Sequence, residues 1–558
     1  MAYYEIKDGV GIIPEGVKEI ASFAFKDCKD LTSVVIPEGV TKIGSSAFSG
    51  CTGLTNIIIP EGVKEIGVCA FDGCTGLTSV VIPESVKEIG ACAFSGCTGL
   101  TSVVIPEGVK DIYEYAFDGC TGLTSVVIPA SVKYIGSRAF EGCASLTSIT
   151  VAKGNKVYDS REGCNAIIKT ETNALIVGCN ATIIPASVVE IDCYAFSGRT
   201  GLTSVVIPEG VKEIGAYAFS GFTGLTNIII PEGVKEIGEC AFEGCTGLTN
   251  IIIPEGVKEI GAYAFEDCTG LTSVVIPEGV KEIGACAFSG CTGLTSVVIP
   301  ASVKEIHREN PFSNCPNLTS IVVAEGNEKF DSRNNCNAII WVGNGHFSTY
   351  LVVGCANTVI PDDVEMICSD AFSGSGITEI EIPDNVKRIG IEAFKDCKEL
   401  TRVVIPDSIT TIESGTFKGC VKLTHVEIPW SVEEIDDSVF EGCTSLTDLV
   451  NTESFMEITN CMYQGCTGLT RIEIPAGTTK IGGRAFLDCT NLKEVILPAG
   501  IKQMGEKSYN RMLYCFEGCT ALESIKVPAK KADYYKRRLP EELHQFIEEL
   551  APVKKAKK

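Results

Sequence analysis

The chain has 558 residues, a formal net charge of −24 and 45% apolar residues. Proteins that wrap nucleic acids present basic faces, so this acidic balance argues against that class. The longest apolar stretches, such as residues 56–60, are far shorter than the about 18 residues needed to span a bilayer. The first residues lack the charged and apolar regions of a secretory signal, so no signal peptide is predicted.

A repeat of 23 residues runs through almost the whole chain. Prolines recur in three blocks that begin at Pro14, Pro185 and Pro361, and most of the steps within a block are 23 residues. An aromatic residue follows at a fixed distance, from Phe25 in the first unit to Phe516 in the last. These aromatics define nineteen units. A fixed period of this length is the signature of a solenoid.

Each unit predicts two short strands and a turn. In the first unit, Leu31, Val34 and Ile36 have the spacing of side chains that point into a coil. Ser33 and Val35 alternate with them and are expected to point outward. A single coil cannot bury its own apolar face, but a stack of coils can, so equivalent strands are expected about 4.8 Å apart.

The unit resembles the repeat of the BspA-like, or Treponema pallidum type, leucine-rich repeat proteins. Residues 77–99, LTSVVIPESVKEIGACAFSGCTG, follow that pattern, and the resemblance covers residues 12–528. It implies a leucine-rich repeat solenoid, a right-handed β-rich superhelix or horseshoe. For many members it also implies a surface role in adhesion to host proteins or other cells. No catalytic residues and no cofactor come with it.

Two segments interrupt the period, and both contain the sequence Asp-Ser-Arg, at Asp159 and at Asp331. Two short apolar runs in each predict a β-hairpin that extends the sheet. The predicted organisation is an N-terminal cap with repeats 1–6 in residues 1–149, a hairpin insert in 150–182, repeats 7–12 in 183–320, a second insert in 321–358, repeats 13–19 in 359–528, and a helical cap with a basic tail in 529–558.

The inserts have a structural and a functional interpretation. The hairpins are either spacers or tips that grip a ligand, the latter especially between Trp341 and Tyr350, where aromatic residues cluster. Asp159 and Arg161 either bind a ligand or form a local turn and ion pair. The structural interpretation is favoured in both cases.

The 28 cysteines largely follow the repeat, because sixteen of them lie three residues after the aromatic. A zinc site would need four ligands with CxxC-type or histidine spacing, so no metal is predicted. Buried free cysteines pack like small apolar residues, which favours a ladder of thiols in the core. The pairs Cys164 with Cys179 and Cys336 with Cys355 are the disulfide candidates, because each pair is roughly symmetric about a hairpin turn.

The two outward columns of the first strand form the candidate binding face, expected on the concave side of the solenoid. Before the second insert they place a small polar residue beside an apolar one, at Ser33, Val35, Asn56, Ile58, Ser79, Val81, Ser102, Val104, Ser204, Val206, Asn227, Ile229, Asn250 and Ile252. After it they become charged, at Glu379, Glu381, Arg402, His425, Glu427, Arg471 and Glu473. This face has two interpretations. It is an apolar groove that binds an extended or β-rich protein, or its Val and Ile residues reflect strand propensity and were copied by duplication.

The ends of the chain are predicted to cap the core. Pro540 and the glutamates after it suit the first turn of a helix, and Leu543, Phe546, Ile547 and Leu550 give that helix one apolar face.

No enzyme is predicted, because the same groups recur every 23 residues instead of forming an irregular cluster. The sequence favours a monomeric protein that binds host matrix or microbial surface proteins, without nucleic acid, cofactor or integral membrane segment. The resemblance favours the cell surface or secretion. The alternative is an intracellular scaffold in the cytoplasm, favoured by the missing signal peptide and the many thiols.

Overall fold

The computed structural model describes residues 4–342, 349–448, 456–508 and 511–551. These residues form two compact units, Met1–Phe288 and Ser289–Lys558. Each unit is a stack of coils of about 23 residues, and each coil contributes a long strand, a short strand and the turns between them. The predicted leucine-rich β-solenoid is therefore confirmed. The described residues contain one α-helix, Ala532–Lys536.

The long strands have three or four residues and pair in parallel with their equivalents one coil away, so that Val80 lies opposite Val103. In the first unit they are Val10–Ile12, Ser33–Val35, Asn56–Ile58, Ser79–Val81, Ser102–Val104, Ser125–Ile128, Ser148–Val151, Ser204–Val206, Asn227–Ile229, Asn250–Ile252 and Ser273–Val275. In the second unit they are Ser296–Ile299, Ser320–Val323, Glu379–Glu381, Arg402–Val404, His425–Glu427, Arg471–Glu473, Glu494–Ile496 and Ser524–Val527.

The short strands follow the proline of each coil and pair in parallel as a second ladder, with Ile66 opposite Ile89. The first unit contains Glu19–Ile20, Lys42–Ile43, Glu65–Ile66, Glu88–Ile89, Asp111–Ile112, Tyr134–Ile135, Glu190–Ile191, Glu213–Ile214, Glu236–Ile237, Glu259–Ile260 and Glu282–Ile283. The second contains Glu305–Ile306, Val364–Ile367, Arg388–Ile389, Thr411–Ile412, Glu434–Ile435, Glu457–Ile458, Lys480–Ile481 and Gln503–Met504. A two-stranded hairpin, Glu506–Ser508 with Arg511–Leu513, follows the last of these.

The core between the two ladders contains a stack of parallel aromatic rings. The rings of Phe48 and Phe71 have centroids 5.1 Å apart and an interplanar angle of 4°. The same arrangement joins the aromatics of successive coils elsewhere in both units, including Phe440 and Tyr463. Every ring in these stacks is buried, so each coil supplies one large apolar side chain that only its neighbours can cover.

The cysteines three residues after the aromatics form the predicted buried ladder of free thiols. Most of these thiols donate a hydrogen bond to the carbonyl of the aromatic residue one coil earlier, as from Cys51 to Phe25 at 3.0 Å and from Cys74 to Phe48 at 3.1 Å. Cys28, which is half-buried, donates to Lys26, and Cys315 donates to Ser313. Other members of the ladder are Cys97, Cys120, Cys143, Cys245, Cys268, Cys397, Cys420, Cys443, Cys466, Cys489 and Cys519. The thiols thus satisfy buried carbonyls as well as filling space.

Both inserts extend the short-strand ladder, as predicted. The first contains Tyr158–Asp159, the 3-10 turn Arg161–Gly163, Ala166–Lys169 and Ala174–Gly178, whose last strand pairs in parallel with Glu190–Ile191. The second contains Phe330–Asp331, the 3-10 turn Arg333–Asn335, Ala338–Trp341 and Thr349–Gly354, which pairs with Val364–Ile367. The rings of Trp341 and Tyr350 stack 5.2 Å apart. The predicted tip runs from Val342 to Ser348, and its residues 343–348 lie outside the described residues.

The Asp-Ser-Arg motifs are local structural elements, in line with the favoured interpretation. Arg161 donates from Nε and Nη2 to the two carboxylate oxygens of Asp159, at 2.8 and 2.6 Å, and from Nη1 to Asn173. Arg333 makes the same fork with Asp331. Both cations are therefore engaged in holding the hairpins.

The four hairpin cysteines are free, buried thiols in the structure, and the two disulfides stay a prediction. The thiols of Cys164 and Cys179 point to different backbone acceptors, the carbonyls of Ala166 and Asn165. Cys336 and Cys355 make the equivalent contacts, to Ala338 and Asn337. The symmetric spacing places both cysteines of a pair in the same insert, but it does not make the two sulfur atoms face each other.

Arg199 occupies a cysteine-ladder position directly after the first insert, and it is completely buried. Its guanidinium donates to the carbonyls of Gly178 at 3.0 Å, Cys143 at 2.9 Å and Phe140 at 2.8 Å. Burial lowers the pKa of this guanidinium. The side chain bridges the insert and the coils on either side of it within the first unit.

The ends of the described chain are covered by strands. Glu5–Lys7 pairs antiparallel with Val10–Ile12 at the N-terminal end. At the C-terminal end the predicted helix over 540–550 is wrong in part, because residues Glu541–Phe546 form a 3-10 helix and Ile547–Glu549 is a strand parallel to Ser524–Val527. Leu543, Phe546 and Ile547 still pack against the core, as their spacing predicted.

Candidate protein-binding face

The outward side of the long strands in the first unit, together with Ile183 after the first insert, carries exposed aliphatic residues, here called the apolar row. Its members are Val35, Ile58, Val81, Val104, Val127, Ile183, Val206, Ile229, Ile252 and Val275. Their side chains are between 56% and 82% exposed. Soluble proteins rarely expose many aliphatic side chains in one contiguous patch without a reason.

Strand geometry explains both the exposure and the regular spacing. Successive residues of a strand point to opposite faces, so Val103 is buried in the core while Val104 points to solvent. Parallel register aligns Val104 with Val81 on the next strand, about 4.8 Å away. The row is therefore a series of equivalent apolar groups on neighbouring strands, interrupted at Ser148–Val151, where the half-buried Thr150 takes the outward position opposite Val127, and by the first insert.

A column of small polar residues runs beside the apolar row. Its members in the first unit are Ser33, Asn56, Ser79, Ser102, Ser125, Ser204, Asn227, Asn250 and Ser273. Threonine hydroxyls line the approach to each strand and donate to the carbonyl one coil earlier, as from Thr101 to Thr78 at 3.2 Å. From Ser33 to Val275 the two outward columns carry no charged residue. A partner on this face would meet hydrogen-bonding groups and apolar surface without having to desolvate a charge.

The second unit presents a charged version of the same face. Arg402 pairs with Glu427 at 3.1 Å, and Arg471 pairs with Glu494 at 2.8 Å, each between neighbouring long strands. The hydrogen bonds from His425 and Arg402 lower the pKa of Glu427, and those from Lys526 and Arg471 lower that of Glu494. These exposed pairs contribute little to the stability of the fold. Their main effect is to give this face both positive and negative charges.

All the residues predicted for the binding face lie on long strands. Each is exposed except Ser33, which is half-buried. The sequence analysis missed Ile183 and, in the second unit, Val359, which are 76% and 72% exposed. Both lie outside strands and turns, in the segments that follow the inserts. Their position relative to the proline was the available signal. Ile183 and Val359 lie two residues before Pro185 and Pro361, as Val35 lies two residues before Pro37.

The described residues contain no group of three or more His, Cys, Asp or Glu side chains that could hold a metal ion. Within the same residues, none of the helices has the length and apolar character needed to cross a membrane.

A family model described as the BspA type leucine-rich repeat region matches the chain in six overlapping copies. The copies cover residues 9–120, 45–165, 177–268, 213–339, 346–470 and 457–537. The chain belongs to the BspA-type leucine-rich repeat family. The family resemblance predicted from the repeat unit is therefore confirmed.

Several solved structures are similar to this BspA-type protein. A leucine-rich cell surface protein of Faecalibacterium prausnitzii is 24% identical, with 77% of this chain and 86% of that chain covered and a TM-score of 0.39. A leucine-rich repeat protein of Eubacterium ventriosum is 22% identical, with 64% and 87% covered and a TM-score of 0.44. The pneumococcal vaccine antigen PcpA is 18% identical, with 78% and 89% covered and a TM-score of 0.42. The search of curated proteins found no match.

Proposed function

We propose that this BspA-type protein is a non-enzymatic binding protein whose long-strand face engages host matrix or microbial surface proteins. The observation that carries the proposal is the apolar row, which exposes a Val or Ile in most coils of the first unit. The adhesion role implied by the family resemblance agrees with it.

The geometry of the row favours an extended or β-rich protein segment as the partner. Equivalent groups about 4.8 Å apart match the strand spacing of a second β-sheet packed on this face, and the column that includes Ser79 and Asn227 supplies hydrogen-bonding groups beside them. Burying one Val or Ile side chain contributes roughly 1.5–3 kcal/mol. A few members of the row would therefore suffice for a specific complex. The charged face of the second unit would add selectivity, because unlike charges reject the wrong partner.

The proposal is tested by binding of the full chain to a panel of immobilised matrix proteins, with Val104→Glu plus Val206→Glu as the disrupting variant. A charge placed at each position would have to be desolvated in the complex, so we expect affinity to fall by at least about tenfold for each substitution. The matched control is Val68→Glu plus Val189→Glu, which adds the same charges at exposed valines away from the long strands.

Equal binding by the wild type and the disrupting variant would refute the long-strand face as the site. Binding of the wild type to no member of the panel would refute matrix proteins as the partner class.

A further inference from the structure

A cavity of about 150 Å³ lies inside the first unit, where the first insert joins the repeat coils. Its wall is formed by residues 135–141 of the coil before the insert, by Ile176 and Val177 of the insert, and by residues 192–194 with Arg199 of the coil after it. The volume is that of about five water molecules, so a small molecule fits and a polymer does not. The wall contains no residue of the apolar row, so the cavity is separate from the long-strand face.

The wall of the cavity carries charges of both signs beside apolar groups. Arg138 and Arg199 contribute two guanidinium groups, and Glu141 and Asp192 contribute two carboxylates. Burial raises the pKa of the Cys193 thiol, so this thiol adds no charge at neutral pH. The apolar part of the wall includes Ile135, Ala139, Ile176 and Val177. Equal numbers of positive and negative groups favour a zwitterionic ligand, because a lone anion or a lone cation would meet like charges.

Arg138 is held in a fixed position at this cavity. Its backbone is left-handed, with φ 60°, as is that of Tyr194, with φ 61°, and both residues lie two positions before the core aromatic of their coils. The guanidinium carbon lies 3.7 Å from the centroid of the Tyr194 ring. The guanidinium donates to the hydroxyls of Tyr115, at 2.9 Å, and of Tyr194. Since a guanidinium has five N–H donors, donors remain for a ligand carboxylate.

Glu141 provides an anionic group directly beside this cation. Its Oε2 lies 3.6 Å from Nε of Arg138, and its Oε1 accepts a hydrogen bond from Ser197 at 2.7 Å. Both charged side chains are half-buried, so their interactions with a ligand are less screened than on an open surface. A cation and an anion this close match a free α-amino acid, whose carboxylate and ammonium are attached to the same carbon atom.

The second insert joins its coils without these charges. In both junctions the core aromatic after the insert packs against the last glycine of the insert strand, Phe196 on Gly178 and Phe372 on Gly354. The residues of the second junction at the corresponding distances from the core aromatics are all neutral: Asn310 for Arg138, Ser313 for Glu141, Cys368 for Asp192 and Ser375 for Arg199. A junction of this kind can therefore be built without the four charges, and their presence at the first insert points to a ligand.

We propose that this cavity binds one free α-amino acid with a short aliphatic side chain. The ligand carboxylate accepts hydrogen bonds from Arg138, and the ligand ammonium donates to Glu141 and Asp192. The ligand side chain lies against Ile176 and Val177. Binding is reversible and changes no covalent bond.

The test is a calorimetric titration of the full-length protein with L-alanine and with L-valine at fixed ionic strength. We expect one equivalent of each to bind. Propionate and ethylamine each lack one of the two ligand charges and leave a wall charge unpaired, so we expect their affinities to be lower by at least about tenfold. L-Tryptophan should not bind, because it is much larger than the cavity.

The disrupting variant is Glu141→Gln, which removes the negative charge and keeps an oxygen that accepts from Ser197. We expect it to bind L-alanine at least about tenfold more weakly than the wild type. The matched control is Glu243→Gln, because Glu243 also follows a core aromatic and accepts from Ser220, at 3.4 Å, but is not part of the cavity wall. This control should bind L-alanine as the wild type does.

Wild-type affinity for L-alanine in Glu141→Gln would place the amino acid elsewhere and overturn the proposal. Equal affinities for L-alanine and propionate would identify a simple anion site and would also overturn it, as would a wild type that binds neither amino acid. Circular dichroism separates loss of the site from loss of the fold. Asp192→Asn is a second variant that is expected to weaken binding in the same direction.

Discussion

Arg199 shows how one side chain keeps a stack of coils continuous where the repeat is interrupted. In an ordinary coil a cysteine thiol satisfies the carbonyl of the previous aromatic, as Cys143 does for Phe117 at 3.2 Å. The first insert separates Phe140 from the next repeat coil, and a guanidinium replaces the thiol there because it can reach three carbonyls at once. The charge is buried without a carboxylate contact among the described residues, so its cost is offset by hydrogen bonds alone.

We predict that Arg199→Ala lowers the free energy of unfolding by roughly 3–5 kcal/mol, because it removes three buried hydrogen bonds to backbone carbonyls and opens a cavity. Urea unfolding of the full chain measures this. Lys212→Ala, at an exposed position just before the short strand Glu213–Ile214, serves as the control and should change stability by less than about 0.5 kcal/mol. A loss no larger than that of the control would show that water satisfies these carbonyls.

In the sequence, Arg199 stands out only because it occupies a repeat position at which most units have a cysteine. Its role could not be read from the chain, because the carbonyl of Phe140 lies 59 residues earlier and is brought close by the folding of the insert. The same limit explains the hairpin cysteines. Symmetric spacing placed Cys164 and Cys179 in one hairpin, but the direction of each sulfur depends on local backbone geometry that the spacing does not encode.

At the scale of the coil, the aromatic residue is the element that joins neighbours. Phe94 stacks on Phe71 at 5.2 Å and on Phe117 at 5.4 Å, so its loss affects three coils. Strand and turn positions were predictable because the apolar pattern repeats with every coil and alternates as β-structure requires.

We predict that Phe94→Ala costs roughly 3–5 kcal/mol of unfolding free energy, from lost burial and the cavity left behind. Glu88→Ala, at an exposed site in the short strand of the same coil, should be nearly neutral. Thermal and urea unfolding of both variants would decide the matter, and similar losses for the two would contradict the stacked core.

In the C-terminal segment, the helical spacing of the apolar residues led to a prediction that is wrong in part. Leu543, Phe546 and Ile547 have helical spacing, and they do reach the core, but the chain changes from a 3-10 helix to a strand at Ile547. The unpaired edge of Ser524–Val527 offers backbone hydrogen bonds to any strand that arrives, and a helix would leave them unsatisfied. The free energy gained by pairing the backbone of this edge exceeds the local preference for a helix.

We predict that a chain ending at Pro528 binds the dye ANS and unfolds at a lower temperature than the full chain. This truncation removes the buried residues Tyr535 and Leu539 together with the strand Ile547–Glu549, and so exposes the core of the last coil. Glu541→Ala in the full-length protein is the control, since that side chain is exposed. Identical dye binding by the two proteins would show that this segment is not a cap.

At the scale of the whole molecule, the thiol ladder links stability to pH. Burial raises the pKa of Cys97 in the first unit and of Cys466 in the second to about 12, whereas an unfolded cysteine titrates near about 8.5. Below about 8.5 both states are protonated and the ladder's contribution is fully present. Between about 8.5 and 12 only the unfolded chain loses the proton, so stability falls as the pH rises.

We therefore predict a large loss of unfolding free energy between pH 8 and pH 10 in the presence of a reductant, about 1.4 kcal/mol per ladder thiol for each pH unit above the unfolded pKa. Urea unfolding at the two pH values measures it. A variant with Cys97→Ala and Cys466→Ala should be less stable at pH 8 but lose less on going to pH 10. A pH dependence equal to that of the wild type would rule out the ladder as the cause.

The left-handed column, formed in the first unit by the residue two positions before the core aromatic of each coil, has a consequence for how the repeats diverge. A left-handed backbone costs a non-glycine residue roughly 1–2 kcal/mol, and Phe, Ser, Cys, Tyr and Arg all occupy the column. The coil imposes this backbone conformation on every occupant, so the column accommodates side chains of very different chemistry. After each duplication the column gives natural selection one surface position per coil whose chemistry can change independently of the core.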